Sequence, residues 1–229
     1  MSSELLVIIP AYNEEDSLKN TIEELLSVIP SVDYIVVNDG SRDSTQVICE
    51  ENGYAHINLP VNSGLASAFR TGMKYALRHD YKYVVQFDAD GQHTPESLEK
   101  MIRVMKQGYT DIVIGSRYVS EKKDRSLRMI GSRIISYLIR ITTGQSISDP
   151  TSGLRMFNSS MIRRFVDDPI LSPEPESIAY LLRQGARVSE VQVSMRDRVA
   201  GESYLNLSKS ILYMVRACAS IIFFQWFRR

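Results

Sequence analysis

Short β-rich runs alternate with helical segments through the first half of the chain, and this alternation constrains the fold more than any other feature. In chain order the runs are Leu5 to Ile9, Tyr34 to Val37, His56 to Leu59, Tyr83 to Phe87 and Asp111 to Gly115. We expect the first strand to stop at Pro10, which has no N–H for a sheet ladder. Strands that alternate with helices predict a mainly parallel α/β sheet with helices on both faces.

Two carboxylates, Asp88 and Asp90, follow directly after the run Tyr83 to Phe87. In an open α/β sheet, ligands bind at the carboxyl ends of parallel strands. Two carboxylates one residue apart at such an end can hold Mg²⁺ or Mn²⁺, which in turn holds phosphates. A polar turn after a strand has the same composition, so the pair by itself leaves both interpretations open. Gln92 and His93 come next, and we expect His93 to orient its neighbours rather than to bind the metal.

The second run also ends in an acidic residue, Asp39, so strands two and four share this feature. Small residues then begin a helix in the segment 62–68, at Gly64 in particular. They would let the backbone approach a ligand at a helix N-terminus, which favours anions. Helix packing on the sheet explains Gly64 equally well. Neither GxGxxG nor GxxxxGK[ST] occurs, which disfavours dinucleotide-binding and P-loop chemistry.

Composition narrows the class of protein. With 229 residues, 44% of them hydrophobic, the chain can bury one sizeable core and carry a short appendage. Lys plus Arg and Asp plus Glu are both 27, so there is no global charge footprint for nucleic acid. The stretch 117–145 has seven basic and two acidic residues, net +5, and 196–229 has six and two, net +4. Isolated Cys49 and Cys218, and the absence of a signal peptide at Met1 to Glu4, predict a reducing cytoplasm.

Two segments of the second half have the pattern of basic amphipathic helices. The first segment runs from Ser126 to Thr143. Its apolar residues recur at helical spacing and form a stripe, and Arg133 and Arg140 lie outside this stripe. That stripe consists of Leu127, Ile130, Ile134, Leu138 and Ile141. The closing segment, Ile211 to Arg229, has an apolar part of roughly 17 residues, at the short limit for a membrane span. Both segments are typical of helices that lie on a membrane surface. For the first, an ordinary helix packed on the core is the alternative.

Seven stretches in this order resemble the family 2 glycosyltransferases of the GT-A fold. They are VIIPAYNEE at Val7–Glu15, VVNDGSRDST at Val36–Thr45, NSGLASAFRTG at Asn62–Gly72, FDADGQHTPE at Phe87–Glu96, GSRY at Gly115–Tyr118, DPTSGLRMF at Asp149–Phe157 and RDRVAGES at Arg196–Ser203. The similarity covers nearly the whole chain and is greatest to dolichyl-phosphate mannose synthases and bacterial polyprenyl-phosphate glycosyltransferases. It implies a GT-A, Rossmann-like sheet flanked by helices, followed by C-terminal amphipathic helices.

The resemblance implies roles on the donor side. Residues that match those holding the base and ribose of a sugar nucleotide are Pro10, Tyr12, Glu14 and Asp39. Asp88, Asp90 and Gln92 match a metal-binding DxDxQ, in which Mg²⁺ or Mn²⁺ bridges the donor diphosphate. Arg117 matches a donor-side arginine.

The resemblance also implies roles on the acceptor side. The DxxSGxR segment that lines it is matched by Asp149, Ser152, Gly153 and Arg155. Glu176 falls where the family often has an acidic residue near the sugar. In the RxxGxS loop, Arg198 fits the spacing and Arg196 does not, so we rank Arg198 first. If the acceptor is a sugar hydroxyl, Asp149 or Glu176 would be the base. If it is a lipid phosphate, the residues that position it would be Arg117, Arg155 and Arg198.

These features together predict an inverting, metal-dependent transferase. It would move a hexose or N-acetylhexosamine, with glucose or GlcNAc favoured, from a UDP-sugar to polyprenyl (undecaprenyl) phosphate for cell-envelope polysaccharide or glycan decoration. A saccharide hydroxyl acceptor and an inactive nucleotide-sugar-binding scaffold are the alternatives. We expect a catalytic domain over 1–204 and a membrane-associating helix over 205–229. The protein would be monotopic on the cytoplasmic face of the cell membrane, with a small integral-membrane partner or a homo-oligomer as a further hypothesis.

Overall fold

The computed structural model describes residues 3–121, 127–196 and 207–224. Its strands are β1 (Leu5–Ala11), β2 (Asp33–Asn38), β3 (His56–Asn58), β4 (Tyr83–Gln86), β5 (Ile112–Ser116), β6 (Arg155–Asn158) and β7 (Val188–Gln192). Its helices are α1 (Leu18–Val28), α2 (Thr45–Glu51), α3 (Leu65–Arg78), α4 (Glu96–Lys106), α5 (Leu127–Thr143), α6 (Ser159–Asp167), α7 (Pro175–Arg183) and α8 (Leu207–Ala219), which continues as a π-helix over Ser220–Phe224.

Within the described residues, the seven strands form one sheet in the order β3-β2-β1-β4-β6-β5-β7. All pairings are parallel except those of β6, which runs antiparallel to both β4 and β5. The prediction of a mainly parallel α/β sheet is therefore confirmed. Strand β6 was not predicted, because its four residues, RMFN, show neither a long apolar run nor a clear alternation.

The expected end of the first strand at Pro10 was wrong, because β1 continues to Ala11. Pro10 pairs with Val37 of β2, whereas the pairing of β1 with β4 ends at Ile8 and Gln86. At Pro10 the strand therefore has a sheet neighbour on one side only. A proline is tolerated in a strand where its missing N–H faces no partner.

Apolar residues alternate across the sheet and produce a core on each face. In β1, Leu6 and Ile8 join the core beneath α3, α5, α6, α7 and α8, whereas Val7 and Ile9 join the core beneath α1, α2 and α4. This alternation of neighbours follows from the two-residue period of a strand. Since both faces are covered, the residues at the strand ends remain available for a site.

The strand directions decide where that site lies. Strands β1, β2, β4 and β5 all run the same way, so their carboxyl ends meet at one edge of the sheet. The antiparallel β6 begins at this edge, with Arg155 in register with Gln86 of β4 and Ile114 of β5. We call it the carboxyl edge.

Candidate active site

Asp39 follows β2 at the carboxyl edge and fixes the turn before α3. Its buried carboxylate accepts hydrogen bonds from the backbone N–H groups of Ser63 (2.9 Å) and Gly64 (2.7 Å). Gly64 has a φ of +87°, in the left-handed region that favours glycine. The structure thus brings together Asp39, predicted for the donor side, and Gly64, predicted to let the backbone approach a ligand. The Asp39 carboxylate holds the first turn of α3 at the edge of the sheet.

Pro10 and Tyr12 lie next to this turn, at the end of β1. The Asp39 N–H donates to the Ala11 carbonyl (2.8 Å), which keeps the ends of β1 and β2 side by side. Pro10 and Tyr12 are both half-buried. Their position at the edge is compatible with the predicted contact to a base and ribose.

Glu14 has a structural role that the sequence did not indicate. Its carboxylate accepts a hydrogen bond from the Ser17 hydroxyl (2.6 Å), and its N–H donates to Thr45 Oγ1 (2.9 Å). Asn13, at a φ of +55°, accepts from the backbone N–H of Arg42 (2.9 Å). These bonds join the loop after β1 to the loop after β2, so the predicted donor side is a single hydrogen-bonded unit.

Asp88 lies at the end of β4 and is oriented by two neighbours. Gln86 Nε2 donates to Asp88 Oδ1 (2.9 Å), and the Asp88 N–H donates to Nδ1 of the buried His93 (3.1 Å). His93 Nε2 lies 3.8 Å from Asp88 Oδ2. His93 therefore orients the Asp88 segment, as predicted. A Cβ on Gly153 would approach Asp88 Oδ2 to 2.7 Å, so glycine is required for the carboxylate to lie where it does.

Asp90 is buried and closes the same turn, since its Oδ1 accepts the N–H of Gln92 (3.1 Å). Within the described residues no group of three or more His, Cys, Asp or Glu side chains is arranged to hold a metal. Two carboxylates and an amide nevertheless suit Mg²⁺ or Mn²⁺, because such ions are commonly held by one or two carboxylates together with substrate phosphates. The space that Gly153 leaves at Asp88 agrees with this fit.

Arg117 and Asp149 form a bidentate ion pair after β5. Arg117 Nε donates to Asp149 Oδ2 (2.7 Å) and Arg117 Nη2 to Oδ1 (3.0 Å). Burial lowers the pKa of the Arg117 guanidinium, but its bonds to Asp149 outweigh this effect and raise the pKa above its ordinary value. Asp149 is fully buried, and its carboxylate is occupied by Arg117. Its geometry therefore favours a role as the counter-ion of Arg117 over the predicted alternative of a general base.

Two residues of β7 that the sequence analysis did not single out position this pair. Glu190 accepts the N–H groups of Ser148 (2.7 Å) and Asp149 (2.8 Å). Gln192 Nε2 donates to the Arg117 carbonyl (2.9 Å). Glu190 and Gln192 are two positions apart in β7, so their side chains lie on the same face of the sheet.

The position of Arg155 corrects its predicted role. For a lipid-phosphate acceptor, Arg155 is predicted to position the phosphate, but its side chain is only 1% exposed and Nη2 donates to the Pro150 carbonyl (2.7 Å). Nε and Nη1 are buried with no hydrogen-bond partner in the described part of the chain. Burial lowers the pKa of the Arg155 guanidinium, and the nearby Glu174 and Glu176 partly offset this effect. Arg155 begins β6 inside the sheet, and its buried guanidinium lies near the carboxylates of Glu174 and Glu176.

Glu176 lies in the first turn of α7, close enough to Arg155 for their charges to interact. Its Oε2 is buried without a hydrogen-bond partner among the described residues. Burial raises the pKa of the Glu176 carboxyl; Glu174 raises it further, whereas Arg155 and Arg216 lower it. Glu174, just before α7, accepts a hydrogen bond from the hydroxyl of Tyr213 on α8. The acidic start of α7 is therefore tied directly to α8, which the sequence did not predict.

Of the two loop arginines, Arg196 is described and Arg198 lies outside the described residues. Arg196 forms an ion pair with Glu24 of α1 (2.7 Å), and its N–H donates to the Gln92 carbonyl (3.0 Å). These contacts give Arg196 a structural role beside the Asp90 turn. The ranking of Arg198 as the loop cation stays a prediction.

Helices α5 and α8 pack against each other and present an apolar surface, which we call the α5–α8 surface. A Cβ on Gly131 would overlap Met214 Sδ (1.5 Å), so glycine permits the close contact. Large apolar side chains exposed on this surface are Ile130, Ile134, Tyr137, Ile141, Leu212, Val215, Ile222 and Phe223. No helix among the described residues has the length and apolar run needed to cross a bilayer.

The predicted stripe on α5 was right in part. Ile134 and Ile141 are 48% and 61% exposed, whereas Leu138 packs against the core. Ile135 and Ile139, which the sequence pattern did not single out, are fully buried. Helix α5 is therefore apolar on two faces: one joins the core, and the other is open to solvent.

Comparison with solved structures identifies the class of fold. Glucosyl-3-phosphoglycerate synthase from Mycobacterium tuberculosis, solved with Mn²⁺, UDP and glucosyl-3-phosphoglycerate, superposes with a TM-score of 0.67 at 15% identity. The match covers 95% of this chain and 78% of that one. The sheet and the placement of acidic residues at its carboxyl edge therefore define a transferase fold of the GT-A type.

The family follows from the sequence itself. The family model described as "Glycosyl transferase family 2" matches residues 6–166. This chain belongs to the family 2 glycosyltransferases. It is 32% identical to the undecaprenyl-phosphate mannosyltransferase of Micrococcus luteus, over 88% of this chain and 87% of that protein. It is 31% identical to the UDP-N-acetylglucosamine–dolichyl-phosphate N-acetylglucosaminyltransferase of Methanococcus voltae, over 69% of this chain and 71% of that protein.

Proposed function

We propose that this glycosyltransferase moves a hexose or N-acetylhexosamine, with inversion, from a UDP-sugar to a polyprenyl phosphate. The observation that carries the proposal is the α5–α8 surface, an exposed apolar surface on the same chain as the donor site. The relatives from Micrococcus luteus and Methanococcus voltae are named for lipid-phosphate acceptors, and the second is named for a UDP-sugar. A lipid acceptor explains why a transferase of this fold exposes so much apolar area.

The chemistry needs stabilisation of the leaving group more than a base. A phosphate oxygen of the acceptor attacks C1 of the sugar, and the bond from C1 to the diphosphate oxygen breaks with its electron pair on the nucleoside diphosphate. A phosphate monoester is already anionic at neutral pH. Arg117, with its pKa raised by Asp149, remains charged at the edge where the diphosphate would lie.

The metal would be held by Asp88 and Asp90, with Gln92 beside them. When bound, Mg²⁺ or Mn²⁺ would neutralise part of the diphosphate charge. The hydrogen bond from Gln86 to the Asp88 carboxylate and the one from the Asp88 N–H to His93 fix the Asp88 segment before any ligand arrives. Outer partners of this kind support metal ligands in many sites.

Glu176 supports the rival in which the acceptor is a saccharide hydroxyl. That reaction needs a general base, and the raised pKa of this buried carboxyl suits such a role. The inactive scaffold is disfavoured because the donor-side carboxylates and their supporting bonds are all in place.

A product assay tests the reaction. Purified protein, Mn²⁺ and a short polyprenyl phosphate are incubated with a panel of UDP- and GDP-sugars, and the lipid fraction is analysed by mass spectrometry. We expect one lipid-linked monosaccharide, which is lost in Asp90→Ala. Donor turnover that yields only saccharide products would contradict the lipid acceptor. Unchanged activity of Asp90→Ala would contradict the metal site.

The location is a second part of the proposal: the α5–α8 surface docks peripherally on the cytoplasmic leaflet, with residues 205–229 as the associating segment. Exposed Arg133 and Arg140 flank the apolar residues of α5 and would contact anionic headgroups. We expect co-sedimentation with phosphatidylcholine–phosphatidylglycerol vesicles, weakened by Ile134→Asp. Val47→Asp on α2 is the matched control, since Val47 and Ile134 are both 48% exposed. Equal binding of the two variants would contradict this docking surface.

A further inference from the structure

A cavity of about 920 Å³ lies beneath α8, on the face of the sheet that also carries α3 and α7. This volume is in the upper part of the range of about 300 to 1,000 Å³ that is usual for small-molecule sites. Three segments form its walls: the first turns of α3, the stretch from Pro169 to Tyr180, and α8 with the start of the π-helix.

The lining of the cavity has an apolar group and a polar group of residues. Apolar side chains and small residues are contributed by Leu65, Ala66, Pro169, Ile170, Leu171, Ala217 and Ala219. Carboxylates and hydroxyls are contributed by Ser172, Glu174, Glu176, Ser177, Tyr180 and Tyr213. A site lined in this way suits an amphiphile with one apolar and one polar end.

One wall of the cavity belongs also to the donor side. Gly64 lines the cavity, and its N–H donates to Asp39, the residue at the end of β2. A ligand in the cavity therefore lies beside the turn at which the nucleotide sugar is proposed to bind. This proximity is what the second substrate of the reaction requires.

The opposite wall is helix α8, whose other face is apolar and open. Tyr213, Arg216 and Ala217 line the cavity, while Leu212 and Val215 are 70% and 60% exposed. Two lining side chains elsewhere, Leu65 and Ile170, also remain 41% and 67% exposed, so apolar residues continue from the interior of the cavity to its surface. A ligand that arrives from a membrane would find an apolar route past α8.

We propose that this cavity binds the phosphate-bearing end of the isoprenoid acceptor, which enters from the membrane past α8, and that Arg216 contacts its phosphate. This inference rests on the proposed function. Arg216 is an exposed cation of the lining and supplies the charge complementary to a phosphate. The other lining arginine, Arg70, already donates from Nη2 to the carbonyls of Pro169 and Leu171 and so holds the second wall.

Tyr213 connects two walls of the cavity. Its hydroxyl donates to Glu174 at the start of α7, so α8 is attached to the carboxylate cluster of the cavity. The same helix thus forms part of the proposed membrane surface and a wall of the acceptor site. A fully hydrophilic acceptor would gain nothing from the apolar part of this lining.

Photo-cross-linking tests the site directly on the wild-type protein. A benzophenone analogue of farnesyl phosphate is irradiated with the protein, and the labelled peptides are identified by mass spectrometry. We expect adducts in 64–70, 169–180 or 213–220, suppressed by excess farnesyl phosphate. Adducts confined to the exposed face of α5, or labelling that farnesyl phosphate does not suppress, would overturn the proposal.

Two variants test the same site by kinetics. Ala66 is exposed although it lines the cavity, so Ala66→Phe narrows the cavity without disturbing the core. We expect Ala66→Phe and Arg216→Gln each to raise the KM for farnesyl phosphate about tenfold, as for loss of one good contact. Donor affinity, measured by calorimetry, should not change. Ala55→Phe, at an exposed position outside the lining, is the control and should match the wild type.

The outcomes separate this inference from the proposed function. If the wild type glycosylates polyprenyl phosphates and both variants keep the wild-type KM, the cavity assignment is wrong and the function stands. If the wild type transfers sugar to no polyprenyl phosphate, the proposed function is wrong. The cross-linking then decides by itself whether the cavity binds an isoprenoid phosphate.

Discussion

The donor side and the cavity side of the carboxyl edge differ in how their buried charges are satisfied. On the donor side, Asp39 accepts two backbone N–H groups. Donor-side Arg117 forms a bidentate pair with Asp149, which comes from the segment predicted to line the acceptor side. On the cavity side, Nε and Nη1 of Arg155 and Oε2 of Glu176 are buried with no hydrogen-bond partner in the described part of the chain. The two regions are adjacent in the sheet.

On the donor side, folding itself supplies most hydrogen-bond partners of the buried polar groups. On the cavity side, a ligand would have to supply some of them. A hydrogen-bonded polar network makes its region rigid, so the donor side is largely organised before a nucleotide sugar binds. The exception on this side is Oε1 of Gln86, which is buried beside Asp88 without a partner among the described residues. Each unsatisfied buried polar group costs about 1–3 kcal/mol, and such groups are concentrated where function requires them. These groups therefore lower the stability of the free protein. Polar groups of a substrate could reduce this cost at Glu176, which lines the cavity, whereas Arg155 does not.

Breaking the donor-side pair should give the largest effect. Asp149→Ala leaves the largely buried Arg117 without its counter-ion, and we expect a loss of about 3 kcal/mol in the free energy of unfolding, measured by urea denaturation. Asp149→Asn keeps the shape and part of the hydrogen bonding, and should lose less. If the alanine variant were as stable as the wild type, the ion pair between Arg117 and Asp149 would not stabilise the fold.

The second prediction concerns the space around Asp88. A methyl group at Gly153 would lie 2.7 Å from Asp88 Oδ2, so Gly153→Ala should displace the carboxylate. We expect Mn²⁺-dependent activity to fall about tenfold or more, as for other changes next to a metal ligand. Stability should change little, because Gly153 is only half-buried.

The control for Gly153→Ala is Gly115→Ala, whose added methyl group would meet Leu154 in the core at 2.7 Å. This variant should lose stability and keep its metal dependence. If the two variants lost metal-dependent activity equally, the effect would arise from the fold rather than from Asp88.

Much of the fold could be predicted because its strands carry local signals. The apolar run of β1 and the acidic residues after β2 and β4 identify a parallel sheet with a site at its carboxyl edge. Strand β6 was not predicted because its pairing with β4 and β5 is long-range, and its four residues, RMFN, have no local pattern that indicates a strand. The residue types of a donor site are thus visible in the sequence, whereas an inserted antiparallel strand is not.

The cavity side was less predictable for a related reason. Arg155 was expected to contact a ligand because it matches a family motif, but it begins a buried strand. The link from Tyr213 to Glu174 joins residues 39 positions apart, and no periodicity in either helix indicates it. Sequence patterns report which face of an element is apolar; they do not report which two faces meet.

The third prediction addresses the buried cation of the cavity side. Arg155→Met replaces a partly unsatisfied guanidinium with an apolar chain, and we expect a stability change of about 1 kcal/mol, well below that of Asp149→Ala. Arg155 lowers the pKa of Glu176, so its removal should raise that pKa further. If the ionised carboxylate serves the reaction, the acidic limb of the kcat/KM profile moves to higher pH. Arg155→Lys should restore the profile, and an unmoved limb in Arg155→Met would show that the two charges are not coupled.

The fourth prediction concerns Glu176 itself and tests the free-energy cost of burying its ionised carboxylate on the cavity side. Folding raises the pKa of Glu176, chiefly by burial, so its proton stabilises the native state. That contribution is complete below the pKa of the unfolded chain and is lost as the pH rises through the folded pKa. Glu176→Gln removes the dependence, and the variant should gain stability over the wild type as pH rises from 4 to 8, by about 1.4 kcal/mol for each pKa unit. Urea unfolding across this range measures the difference, with the exposed Glu51→Gln on α2 as control. A difference that stayed constant with pH would mean that ionised Glu176 costs nothing in the folded protein, and the contrast between the two sides would then rest on Arg155 alone.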